Sequence, residues 1–359
     1  FLTLALMLSV TILFAQDADS LSTSGETEAK KKKFTWGGSA DVYYRANMGA
    51  PNGGENGQTP NTSFANGNGF SIGMANLILS YEGKKVGAVA DLVFGPRGVD
   101  AVFGSLQWDI DGDGTADLGN SSQIVNQLYV YWNVSDRVTL TFGNFNTFLG
   151  YEVISPTGNF NYSTSYMFSY GPFSHTGLKM DWAITDDFSL LLAAMNDNDF
   201  TNFNPENTYT FGAQLAYKDI YLNFLYGYQF QVDLTTGFDI TDSFYFGLNA
   251  TYFKDNNSDA SFYGVAIYPQ LQISDPFALG FRAEYFAEGD GGVGAIGGYD
   301  SNGDANAFEF TLTGNYAIGD LMIIPEFRID TTSEDTFLNN DLEPTGSLAS
   351  FLVAAVYKF

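Results

Sequence analysis

From Phe34 onward the apolar positions of this chain recur every second residue, the period of a strand that buries one face and not of a helix. In Asn207 to Tyr217, Tyr209, Phe211, Ala213, Leu215 and Tyr217 alternate with Thr208, Thr210, Gly212, Gln214 and Ala216. Phe308, Phe310, Leu312, Tyr316 and Ile318 repeat the pattern against Glu309, Thr311, Thr313 and Asn315, and Ala349, Phe351, Val353, Ala355, Tyr357 and Phe359 close the chain with it. Short connections of one chemistry punctuate these runs: Glu82-Gly83-Lys84, Ser135-Asp136, Thr185-Asp186-Asp187, Lys218-Asp219, Thr241-Asp242, Ser274-Asp275 and Gly319-Asp320. Between consecutive short turns lie two strands and a longer polar linker, as at Ala50 to Asn68, Pro96 to Ser122 and Glu288 to Asn306. Short turns on one rim and long loops on the other are the asymmetry of a transmembrane antiparallel barrel. Seven turns pair fourteen strands, and the runs at Phe34 and Leu348 bring the expected total to about sixteen, the even number that closure requires. The fold class is therefore all-β, with short periplasmic turns and long extracellular loops.

Composition fits a wall that meets lipid. Charged residues are only 16% of the 359, aromatic residues reach 16%, and the formal net charge is −26. So acidic a chain makes no basic face for nucleic acid, and we expect no such partner. Without cysteine and with one histidine, disulfides, zinc fingers and cysteine nucleophiles have no parts. Trp36 opens the first strand, while Trp132 and Trp182 lie a few residues before short turns, where an interfacial girdle belongs. Phe188, Tyr217, Phe244, Phe277, Tyr316 and Phe359 extend that expected girdle. Phe1 to Phe14 with Ala15 read as the apolar part of a secretory signal peptide over residues 1–15, without its basic start. Residues 16–33 read as a flexible periplasmic leader, and the barrel takes 34–359. Export and a membrane wall place the protein in the outer membrane of a Gram-negative bacterium, with lipid as its first partner.

One connection differs from the rest. Thr147 to Ser174 joins the fifth and sixth strands, is aromatic, and carries Glu152 as its only ionisable acid. An external loop would be polar. A loop folded inward to narrow a sixteen-stranded, water-filled lumen would have this composition. Around it, Gly143-Asn-Phe145-Asn-Thr147-Phe-Leu-Gly150-Tyr151-Glu152, then Asn161-Tyr162-Ser163-Thr-Ser165-Tyr166, Pro172 and His175-Thr176-Gly177, resemble the OmpL-like beta-barrel porins of Bacteroidetes and, more distantly, the phosphate-selective porins. The motif-bearing stretch spans about residues 140–180, and the rest agrees by strand pattern and the terminal Phe359. The resemblance implies a passive diffusion channel with its third long loop as eyelet, placing Glu152, Asn161, Tyr162, Ser165 and Tyr166 at the pore constriction. It also allows a homotrimer. The basic ladder of the phosphate-selective relatives is missing from this chain's loops.

With the apolar register facing lipid, the lumen receives Asp41 and Arg45 from the first strand and Lys179 and Asp181 from the sixth. Arg282 and Glu284 come from the thirteenth, Glu309 from the fourteenth, and Glu326, Arg328 and Asp330 from the fifteenth. These interleaved signs set a transverse field or satisfy one another as ion pairs. The excess acid in the loops favours a weak preference for cations among small polar solutes and ions. Asp109, Asp111, Asp113, Thr115 and Asp117 match the first nine positions of a calcium loop, turn glycine included, so a Ca2+ site is a candidate at 109–120. Asn120 stands where a bidentate Glu is usual, which lowers the expected affinity, and no cofactor is otherwise required. Gly289-Asp-Gly291-Gly-Val-Gly294 spells a dinucleotide fingerprint without the helix such a site needs. Ser174 beside His175 makes no nucleophile and base pair, so no enzyme is expected. The function expected is an outer-membrane porin for small hydrophilic solutes. The alternative is a structural barrel with a blocked lumen whose acidic loops bind a partner.

Overall fold

The computed structural model describes residues 33–105, 121–202, 204 and 207–359. The expected signal peptide and leader, and the acidic 109–120 segment with Asp109, Asp111, Asp113, Thr115 and Asp117, lie outside the described residues. Sixteen antiparallel strands close into one barrel: β1 (Lys33–Met48), β2 (Gly69–Glu82), β3 (Val86–Phe94), β4 (Val125–Ser135), β5 (Val138–Asn146), β6 (Ser174–Ala183), β7 (Phe188–Met195) and β8 (Thr210–Tyr217) make the first half. β9 (Ile220–Tyr226), β10 (Gln229–Thr241), β11 (Phe244–Asp255), β12 (Ser261–Ser274), β13 (Phe277–Gly289), β14 (Ala305–Ile318), β15 (Leu321–Thr332) and β18 (Ser347–Lys358) make the second, and β18 closes on β1. A small hairpin, β16 (Phe337–Leu338) with β17 (Pro344–Thr345), sits apart in the last long loop.

Each of the seven Asp- or Gly-bearing short turns joins consecutive strands at one rim, as their spacing predicts. The local reason is visible at two of them. The Thr185 hydroxyl accepts the Phe188 amide at 3.0 Å and the Thr241 hydroxyl accepts the Phe244 amide at 3.1 Å, side-chain bonds that close the turn as Ser and Thr commonly do. At the other rim the sequence expectation needs one correction. β9 and β10 are joined by Gly227 and Tyr228 alone, because the Gly227 amide bonds the Gln229 carbonyl at 2.8 Å and closes a tight turn where the alternation of short and long connections predicts a long polar linker.

The outer surface is apolar from strand to strand. Trp36, Trp132, Trp182, Tyr217, Tyr316 and Phe359 are exposed on the turn-side half of the wall, and Phe188 pairs with Tyr217 as Phe277 pairs with Tyr316. A second aromatic belt, unassigned from sequence, lies toward the long loops: Tyr44 beside Phe70, Tyr226 beside Phe230, Tyr252 beside Tyr263 and Tyr285 beside Phe308. Two belts with aliphatic side chains between them match a membrane's hydrocarbon slab and its two interfaces. Leu312, halfway along β14 and exposed, belongs to the slab. Leu312→Arg is expected to lower folding stability by about 2–4 kcal/mol, read as a shift of the urea midpoint for folding into lipid vesicles, whereas an unchanged midpoint would mean that this face does not meet lipid.

Candidate functional site

A barrel of this strand number encloses more room than its own wall side chains fill. Here the space is taken by residues 147–173, the connection between β5 and β6. This loop crosses the lumen instead of standing outside it, and it begins against β8 and β10. There Gln214 donates to the Phe148 carbonyl at 3.1 Å, and the Gly150 amide donates to Asp233 Oδ1 at 2.9 Å. Tyr151 then stacks on Tyr268 of β12 with ring centroids 4.0 Å apart. Past a 3-10 turn at Pro156–Gly158, Asn315 of β14 donates to the Phe160 carbonyl at 3.0 Å. The loop ends in a one-turn helix, α2 (Tyr166–Tyr170), whose N-cap Ser165 accepts the Phe168 amide at 3.0 Å.

A loop inside a barrel has backbone donors and acceptors that neither water nor a sheet satisfies, and each unpaired one is costly. The wall charges serve that need. Glu326 accepts the amides of Tyr162 (2.9 Å) and Ser163 (3.2 Å), and Glu284 accepts those of Tyr166 and Met167 (both 2.8 Å). Arg282 donates to the Ser163 carbonyl at 2.7 Å and Arg328 to the Thr164 carbonyl at 2.8 Å. Carboxylates thus take loop N–H groups and guanidiniums take loop carbonyls, which explains why both signs interleave on β13 to β15. The charges also pair with each other: Arg282 lies 2.6 Å from Glu152 and 2.8 Å from Glu309, and Arg328 lies 2.7 Å from Asp330. All of these side chains are buried.

The five residues expected at a constriction are all inside the barrel, and each is bonded inside it. Glu152 holds Arg282 and the Ser165 amide, and Asn161 donates to Thr313 of β14 at 2.7 Å. The Tyr162 hydroxyl donates to Asp41 of β1. Ser165 caps α2, and Tyr166 stacks on Phe286 of β13. The residues predicted to line the lumen have two environments. Asp41, Arg45, Arg282, Glu284, Glu309, Glu326 and Arg328 are buried under the loops. Lys179 and Asp181 pair at 3.2 Å with side chains 22% and 42% exposed, so the lumen toward the turn rim remains open to water.

Four features of the site have weak signals in the sequence. Wall glycines make seats for the loop: a Cβ at Gly212, Gly247, Gly264 or Gly280 would stand 2.5–2.6 Å from Phe148, Tyr151, Met167 or Phe160. Glycine within a strand, where another segment comes close, is the available clue. Arg97 of α1 (Pro96–Ala101), in the second long loop, bonds the Ile154 and Tyr162 carbonyls at 2.8 and 3.2 Å and lies over the Phe64 ring at 4.4 Å, clamping the lumenal loop from outside. Asp233, which anchors Gly150, carries no motif that marks it out among the acids of the chain. The fourth is Asp199, beyond β7. It is partly exposed as a residue, but its carboxylate turns inward to accept the Phe173 and Ser174 amides at 2.7 and 2.9 Å, and burial pushes its pKa up to about 7. A raised folded-state pKa gives stability that is complete below the unfolded value and is lost as pH rises through about 7. Asp199→Asn is therefore expected to match the parent below about pH 4, to exceed its urea midpoint by a margin that grows as pH rises to about 7, and to keep that margin at pH 8, and a parent more stable than the variant at pH 8 would contradict this.

The remaining motifs find other uses. The amides of Val293, Ala295 and Ile296, at and beyond the glycine-rich stretch, all donate to the chain's own Glu288 at 2.7–3.0 Å, leaving no phosphate cradle. His175 is fully buried, its Nε2 3.0 Å from the Thr147 hydroxyl, where it secures the root of the loop.

Closed strands, two aromatic belts, short turns at one rim and a loop folded into the lumen define an outer-membrane barrel of the porin class. A family model described as "Putative beta-barrel porin-2, OmpL-like" matches residues 33–359, and the chain belongs to that family. It is an outer-membrane porin-like barrel of a Gram-negative bacterium and not an enzyme. Among solved structures, the outer membrane channel DcaP of Acinetobacter baumannii is similar at TM-score 0.51 and 10% identity, over 94% of this chain and 100% of that one. OmpT of Vibrio cholerae in its trimer form is similar at TM-score 0.50 and 12% identity, over 91% and 99%. At these identities the likeness shows the fold. No functionally curated protein matches the sequence.

Proposed function

We propose that this barrel is a passive diffusion channel for small hydrophilic solutes and ions, with residues 147–173 as the constriction that sets its cutoff. The observation that carries this reading is the loop's course across the lumen, bonded to β8, β10, β13, β14, β15 and β1 above a water-accessible vestibule at the turn rim. A structural barrel that needed no passage would gain little from a vestibule. The excess acid in the outer loops gives the channel a weak preference for cations, and a trimer like that of the OmpT neighbour is the assembly we expect.

The blocked-lumen reading also has a specific observation behind it. Two cavities beside the loop hold about 10 and about 20 Å3, room for roughly one water each. Purified protein in a planar lipid bilayer separates the two. Discrete current steps are expected from the channel, with a reversal potential favouring cations in a salt gradient. Folded, membrane-inserted protein that stays silent would leave the structural reading in place.

A further inference from the structure

The loop meets two chemically different walls, and they say which solutes pass. On β13 to β15 it is fixed by the charge-assisted bonds described above, and the cavity on that side, of about 10 Å3 and bordered by Arg45, Glu326 and Arg328, is the smaller one. On β10 and β11 the cavity is about 20 Å3 and the wall beside it carries Gln231, Asp233, Asn249 and Thr251. Its side chains bond to one another in two sets. Gln229 donates to Gln231 at 3.3 Å, Gln231 to Thr251 at 3.2 Å, and Asn249 to Asp233 at 2.6 Å. Asp233, the acid in this row, is saturated by Gly150, Asn223, Thr235 and Asn249. The opposite side of the same seam is loop: Leu149, Gly150, Met167, Phe168, Gly171 and Pro172, apolar and uncharged.

We propose that neutral hydroxylated solutes, sugars and polyols, are the substrate class of this channel, and that they pass along the seam between the loop and the β10–β11 wall. This rests on the channel reading. The seam at rest takes about one water, so passage needs the loop to draw back; opened in this way, a slot with amides and hydroxyls on one side and apolar groups on the other matches a sugar ring, which has hydroxyls at its edge and C–H groups on its faces. The oxygens of Asp233 are already taken by Gly150, Asn223, Thr235 and Asn249, so a charged solute finds no free counter-charge there to replace its hydration and enters at a cost that a neutral one does not meet. The loop is tied to this side by the Gly150 amide on Asp233 of β10 and by the Tyr151 hydroxyl, which donates to that of Tyr245 of β11 at 3.3 Å, fewer bonds than hold it to β13 to β15, so the seam is where it yields first.

The test is swelling of proteoliposomes holding the full barrel, in equal osmolarities of a neutral hexose, a hexuronate and a cationic amino sugar of the same size. The hexose is expected to enter about fivefold faster than either charged sugar. Gln231→Trp, which fills the seam, is expected to slow the hexose about tenfold. To separate blockage from any effect of Trp on folding, the chain's lack of cysteine allows a second variant, Gln231→Cys, blocked after assembly by a thiol reagent carrying a neutral sugar, with the same expected loss. Charged sugars that enter as fast as the hexose, or hexose flux unchanged by both blocks, would overturn the solute class or the route while the channel reading stands. No swelling with any solute and no current steps would end the channel reading and this proposal with it.

Discussion

Excising the lumenal loop, by replacing residues 151–170 with a short Gly-Ser link, is expected to raise single-channel conductance about fivefold or more and to admit solutes that the parent excludes. The size of the effect follows from what the loop fills. Tyr151, Phe160, Tyr162, Tyr166 and Met167 occupy the lumen between β12 and β1, seated at wall glycines or against wall rings. Without them, Arg282, Glu284, Glu309, Glu326 and Arg328 would face water and rehydrate, so the barrel keeps its fold while the passage widens. A conductance that does not change on excision would mean that another element limits passage.

The second large effect concerns stability. Arg282→Met is expected to cost about 3–5 kcal/mol, read from the urea midpoint in lipid vesicles, because it strands two carboxylates in a site without water. Arg282 is fully buried and directs every donor to a partner: Nε and Nη2 to Glu309 at 2.8 and 3.2 Å, Nη1 to Glu152 at 2.6 Å and to the Ser163 carbonyl at 2.7 Å, and Nη2 also to Ser163 Oγ and Thr311 at 3.3 Å. Lysine offers one ammonium in place of that planar fork, so Arg282→Lys is expected to recover only part of the loss. Combining Arg282→Met with Glu152→Gln and Glu309→Gln removes the stranded charges and is expected to return most of the stability. If the triple variant is as unstable as the single one, the loss comes from packing and not from uncompensated charge.

How much of this is legible in the sequence depends on how local the governing interaction is. Strand alternation and the Thr-Asp and Ser-Asp turns act within a few residues, so the strands, the seven turns and the closing run at Leu348 can be read directly. The composition of 147–174 is also local, and it shows that the loop avoids water. What the loop touches is not readable, because the pairing of Tyr162 with Asp41, or of Arg97 with the Ile154 carbonyl, spans 57 residues or more of chain and leaves no periodic trace. The interleaved charges are visible as charges, but their role as partners for loop backbone follows only once the loop lies among them. Gly264 and Gly280 look like ordinary small members of an alternation until Met167 and Phe160 are placed above them. The Gly227-Tyr228 link escapes for the opposite reason: an antiparallel pair can close with almost no linker, and the expectation of a long outer loop comes from the class and not from those residues.

The most direct test of a lumenal constriction loop is a cross-link between loop and wall. A Cβ built at Gly264 lies 2.6 Å from Met167 Cγ, which puts the two Cβ positions within disulfide reach, and the parent chain has no cysteine to compete. Met167→Cys with Gly264→Cys is expected to form the bond on its own in cells, seen as a faster band for the denatured, unreduced protein that reverts with reductant. If no bond forms while the thiol introduced by Met167→Cys reacts at once, in intact cells, with a large membrane-impermeant reagent, the loop stands outside the barrel, and it cannot be the element that sets passage.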